Sequence, residues 1–147
     1  MNPNRYAAVL ASLDHAGVFH MPLDGEAGLI EAAEQNNFAV FRVDLAGVRD
    51  KAGLLKSVGD ALAFPDWYGH NWDALLDCLA DLSWQPADGY VVILEHCDGI
   101  HGDAEDDFVA ALQVFEAAAN EWREQGIAFW CFVDMMADGI SWLSDIG

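Results

Sequence analysis

Apolar side chains repeat at helical spacing in five stretches of the chain and run almost unbroken in three others. Tyr6, Val9, Leu10 and Leu13 share one side of a helix over residues 3–15, which Gly17 stops. Val18, Phe19, His20 and Met21 fit a short edge strand that Pro22 closes. Residues 26–35 read as a second helix. Residues 38–44 are dense in aromatic and β-branched side chains and read as the first full strand. After a turn at Gly47, Asp50 can cap a helix to about Ala63, with Leu54, Leu55, Val58, Ala61 and Leu62 inward. Pro86 to Gly89 form a turn, and the apolar run 90–94 suits a strand buried on both faces. Residues 96–103 read as an acidic loop whose last residue, Asp103, can cap a long helix over 104–125. That helix carries Phe108, Leu112, Phe115, Ala119 and Trp122 inward and ends at Gly126. Residues 127–134 are the last strand. Strands separated by helices predict right-handed crossovers and a parallel sheet, an α/β fold.

Residues 64–84 carry the sharpest pattern. Pro65 cannot continue the preceding helix and biases Phe64 toward extended backbone, so a loop starts there. Gly69 is read as the turning point, and Asn71 or His70 as the N-cap of the next helix. From Trp72 onward, Trp72, Leu75, Leu76, Leu79 and Leu82 fall on one broad face, with Asp73, Asp77 and Asp81 close together on the other. Four helical residues rise about 6 Å, a spacing on the scale of adjacent phosphates in a nucleic-acid strand. A rigid carboxylate row of that pitch can occupy sites built for phosphates. The plainer reading is the solvated side of an amphipathic helix.

Charge changes the picture more than length does. The 147 residues suit one domain, and 54% hydrophobic with 12% aromatic content gives a packed core. Against that, 25 acidic and 6 basic side chains leave a net charge of −19. Nucleic acid and anionic membrane are poor partners for such a field, and a basic protein is a good one. Cys78, Cys97 and Cys131 are an odd number without paired spacing. Cys78 and Cys131 lie in apolar segments and read as buried thiols of a reducing, cytoplasmic compartment. No basic segment followed by a long apolar stretch stands at residues 1–30, so a signal peptide is not expected, and the longest apolar run, 127–133, is too short to span a membrane.

Three constellations could carry chemistry. Asp73 and Asp77 stand at a separation a glycosidase could use, but acid–base work needs environments that drive two pKa values apart, and one shared polar face does not. Residues 95–103 contain His96, Cys97, Asp98 and His101, all ligand types, at a spacing that matches neither a zinc nor a calcium motif. A glycine-loosened acidic loop is the simpler account, so no metal and no cofactor is expected. His15 and His20 read as surface residues. Trp67, Tyr68 and Trp84 read either as packing residues or, beside a carboxylate ridge, as interface anchors.

The stretch from Pro65 to Leu82 resembles the signature of the barstar family, small intracellular inhibitors of barnase-type secreted ribonucleases. The matching residues are Gly69, Asn71, Trp72, Asp73, Ala74, Leu75, Asp77, Cys78, Leu79, Asp81 and Leu82. The resemblance extends more weakly over about residues 38–134, through Val91 to Glu95 and Leu112 to Phe115, and leaves the first 37 residues uncovered. It implies a small three-stranded parallel sheet flanked by helices. To that barstar-like domain, 38–147, the chain adds an N-terminal helical extension, 1–37, packed on the same core, and the extra edge strand. It also implies a non-enzymatic inhibitor whose loop and acidic helix enter a nuclease cleft. Asp73 and Asp77 would stand in for phosphates, and Trp67, Gly69, Asn71 and Asp81 would complete the contact. The departures lie at the periphery. Leu76 stands where a tryptophan is known in the family, a family contact glutamate falls on Ala117 beside an averted Glu116, and residues 85–89 and 96–103 reshape one rim. The competing readings are a barstar-fold interaction module with a non-nuclease partner, and a metal-binding or hydrolytic protein using the 95–103 loop.

Overall fold

The most apolar runs become the middle of a sheet. In the structure, a computed structural model, residues 5–22, 24–65, 68–135 and 143–144 are described. Helix α1 (Arg5–Leu10), a 3-10 turn (Leu13–His15), strand β1 (Val18–His20) and α2 (Glu26–Gln35) lead into β2 (Ala39–Asp44). Helices α3 (Lys51–Ala61) and α4 (Trp72–Asp81) precede β3 (Gly89–Glu95), and α5 (Asp98–Asp103) and α6 (Glu105–Glu124) precede β4 (Ala128–Val133). All pairings are parallel, in the order β1-β4-β3-β2, with Phe41 opposite Val92 and Val92 opposite Cys131. The sheet therefore has four strands, the three-stranded core plus the edge strand β1.

Side chains alternate across the strands, so the sheet builds two cores. Phe41, Val43, Val92, Leu94, Phe129 and Cys131 face α3, α4 and α6. Val91, Ile93, Trp130 and Phe132 face α1 and α2. Every residue of β3 except Glu95, and every residue of β4, is buried, as the unbroken runs require. Gly89 opens β3 because the Phe38 ring lies where its side chain would be; an added Cβ would stand 2.5 Å from Phe38 Cε1.

Three expectations change. The helix read over 3–15 stops at Leu10, whose carbonyl accepts the Trp130 indole N–H at 3.0 Å, and resumes only as the 3-10 turn. Residues 98–103 are a short helix, not a loop, anchored by the fully buried Ile100. Asp103 consequently ends α5 and pairs with Arg49, so Ala104, with no side-chain cap bond, takes the N-cap of α6. Among the described residues no helix is long and apolar enough to cross a membrane.

Candidate functional site

The loop before α4 is held from below. Tyr68 is buried, its hydroxyl donates to the Leu55 carbonyl at 3.1 Å, and its ring meets Phe64 edge-on at 4.8 Å. It also packs on Gly59, where a Cβ would stand 2.9 Å from the ring. Burial, helped by nearby Cys78, holds the Tyr68 phenol above its ordinary pKa, so it remains a donor. Phe64 in turn meets Trp84, whose indole N–H donates to the Leu62 carbonyl at 3.0 Å. The left-handed residue of the turn is His70, at φ 54°, and not Gly69. Gly69 is exposed, and its missing side chain leaves room for the Asn71 amide, which an added Cβ would approach to 3.3 Å. Asn71 is the N-cap, with Oδ1 accepting the Ala74 N–H at 2.8 Å. Trp67 lies outside the described residues.

Helix α4 is fixed along its length. Leu75, Cys78 and Leu79 are fully buried, while Trp72 and Leu76 are half-buried. Leu82 ends the helix in the left-handed region, at φ 48°, with its N–H on the Cys78 carbonyl at 3.2 Å. The next free carbonyl, of Leu79, accepts the Trp122 indole N–H from α6. Burial first, then the charges of Asp77 and Asp81, push the Cys78 thiol up to about 11.

Asp73, Asp77 and Asp81 are all exposed on the outer face of this helix. Among the described residues none of them has an ion pair, and four of the cations are engaged elsewhere. Arg42 bonds Glu26 and Glu95, Arg49 pairs with Asp103, Lys56 with Asp60, and Arg123 reaches Asn120 and the Leu13 and Ala16 carbonyls. Asp73 in the first turn suits the helix dipole, but Asp81 in the last turn opposes it. Like charges four residues apart cost a helix about 0.2–0.5 kcal/mol per pair. The row is thus mildly destabilising to the chain that carries it.

The other candidate cluster disperses. Cys97 is buried and its thiol donates to the Leu94 carbonyl at 3.2 Å, while exposed His96 turns to Asp44 at 2.8 Å. Asp103 faces Arg49, and His101 stands 3.8 Å from Glu105. No group of three or more His, Cys, Asp or Glu among the described residues is placed to hold a metal ion. Glu116 is turned away from α4: its carboxylate accepts the Val18 N–H at 3.2 Å on the β1 edge. Two features of the site escaped the sequence pattern. One is the Trp122 bond to Leu79; helical spacing identified Trp122 only as a core residue. The other is Lys51 of α3, whose ammonium lies over the Trp72 ring, 4.9 Å from its centroid.

No curated protein matches the chain. A family model described as Barstar (barnase inhibitor) matches residues 38–134, about two thirds of the sequence, from the first residue before β2 to the first after β4. That span contains the capped loop, the acidic helix and the three-stranded core, and the chain belongs to the barstar family.

Proposed function

We propose that the protein is a non-enzymatic, immunity-type inhibitor of a barnase-like ribonuclease or a related toxin nuclease. The observation that carries this reading is the unpaired row Asp73, Asp77 and Asp81 on a helix whose two ends are both locked. A solvated helix face has no need of three like charges in register, whereas a surface that replaces substrate phosphates does. Asp73 and Asp77 take the phosphate positions among the lysine, arginine and histidine groups of the nuclease. Gly69 and Asn71 shape the approach of the loop, Asp81 extends the row, and Trp67 is the aromatic contact ahead of it. Family membership supports the inhibitor class.

Residues 1–37 pack with the 38–147 domain as one unit, a reading supported by the burial of Leu10, Leu29 and Ala33 against the sheet. The compartment is the reducing cytoplasm, supported by three free, buried thiols. A second reading, a barstar-fold interaction module with a partner that is not a nuclease, draws on Leu76, Ala117 and the averted Glu116. The test is capture of nucleases on the immobilised protein, read by mass spectrometry, followed by inhibition of the captured enzyme. Stoichiometric inhibition that Asp77→Ala relieves is the expected result. Capture of partners without nuclease activity favours the second reading.

A further inference from the structure

Of the cations whose side chains are described, Lys51 alone has no carboxylate or carbonyl partner. The chain has 25 acidic residues, yet the Lys51 ammonium makes no hydrogen bond or ion pair among the described residues and sits 4.9 Å above the centre of the Trp72 ring. Trp72 is partly buried against the core and is the first residue of α4, adjacent in sequence to Asp73.

We infer that the outer face of Trp72 is a docking platform for an arginine of the partner protein, and that Lys51 is its stand-in in the free protein. The inference rests on the inhibitor reading for the partner being basic. Three points support exchange over a permanent tie. The Lys51 ammonium has no hydrogen bond or ion pair among the described residues, and the partly buried side chain that carries it has a flexible four-carbon stem. A guanidinium is planar and more weakly hydrated than an ammonium, so it stacks on an aromatic face at a smaller desolvation cost. Helix α4 is already positioned by the Asn71 cap, the Trp122 bond and the packing of Leu75 and Leu79, so the Lys51 contact is not needed to place it. The free protein therefore keeps the platform covered by a weakly held cation, and binding replaces an internal charge with a partner's charge at the N-terminal end of the carboxylate row.

The test uses the full chain and acetyl-argininamide as probe, with the uncharged acetyl-citrullinamide as control. The readout is the Trp72 indole N–H resonance, assigned by its loss in Trp72→Phe. Argininamide is expected to shift that resonance and citrullinamide to leave it. Lys51→Met, which removes the ammonium and keeps most of the stem, is expected to tighten the argininamide dissociation constant about two- to five-fold, the equivalent of an exposed cation–π contact. Equal shifts from both probes, or a dissociation constant that Lys51→Met leaves unchanged or weakens, would overturn the platform. So would a fall in the urea midpoint of Lys51→Met without tighter probe binding, the mark of a structural tie. The probe needs no nuclease, so the two ideas separate: nuclease binding indifferent to Asp77→Ala rejects the inhibitor reading alone, and a failed probe titration rejects the platform alone.

Discussion

The indole N–H of Trp122 donates to the carbonyl of Leu79 at 2.7 Å, joining the last turn of α6 to the last turn of α4. The bond satisfies a buried carbonyl that the end of α4 leaves open. Trp122→Phe keeps most of the ring and strands that carbonyl. A loss of about 1–3 kcal/mol is expected, the usual penalty for an unsatisfied buried acceptor, and urea unfolding measures it. A loss near zero would mean that α4 finds another donor.

Leu79 itself is fully buried on the core side of α4. Leu79→Ala should destabilise by about 2–5 kcal/mol, the range for large-to-small core changes. A change below about 0.5 kcal/mol, as for a surface site, would contradict the orientation of the helix and with it the outward direction of the aspartates.

The apolar runs, the helical repeat of α6 and the Asn71 cap were legible in the sequence because each follows from a local rule. The rest depended on tertiary neighbours. Residues 98–103 contain Gly99 and Gly102, which argue for a loop, and only the burial of Ile100 and the docking of Asp103 on Arg49 make them helical. Leu82 and His70 adopt left-handed backbone that sequence reading assigns to glycine, and the flanking packing enforces it. The three aspartates were visible as a row. That they have no cation partner among the described residues could be seen only once Arg42, Arg49 and Lys56 had found carboxylates elsewhere.

The N-terminal extension should be needed for folding. Trp130, Phe132, Val91 and Ile93 are fully buried on the face that α1 and α2 cover. Four such side chains returned to water forfeit roughly 6–12 kcal/mol at about 1.5–3 kcal/mol each, comparable with the whole stability of a domain of this size. A fragment of residues 38–147 is expected to lack a cooperative urea transition and to aggregate. A sharp transition at the full-length midpoint would make the extension an accessory.

His96 and Asp44 form an exposed pair that titration can isolate. The hydrogen bond that His96 donates to Asp44, then the Asp44 charge, raises the His96 pKa, while the Ala46 N–H, then His96, lowers that of Asp44. A raised histidine pKa gives stabilisation that is complete below the ordinary histidine value and lost as pH rises through the raised one. A lowered aspartate pKa gives stabilisation present above the ordinary carboxylate value and lost as pH falls through the lowered one. The pair is therefore intact from about pH 4 to pH 6.5. Proton NMR should place the His96 midpoint above that of an ordinary histidine, and Asp44→Asn should return it. An unchanged midpoint would show that the bond does not persist in solution.

The carboxylate row makes the most exacting demand. If Asp77 enters a phosphate site, binding leaves it desolvated among cations, and Asp77→Ala strands those cations unpaired. The expected loss is about 2–5 kcal/mol or more, a range drawn partly from the barnase–barstar complex itself, and it appears mainly in the off-rate. If Asp73 lies nearer the rim of that site, it should show the same sign with a smaller loss. Glu105, Asp106 and Asp107 crowd the first turn of α6 instead, where they contribute to the long-range field. Their triple neutralisation should lower the on-rate at low salt and matter little at about 1 M salt, where the screening length falls to about 3 Å. A face that is merely solvated treats its acidic groups alike and shows no such division. Binding kinetics of Asp77→Ala and of the triple variant, at two salt concentrations against the captured nuclease, decide between them. Equal and purely salt-dependent losses would reject phosphate mimicry by the row even if the nuclease is bound.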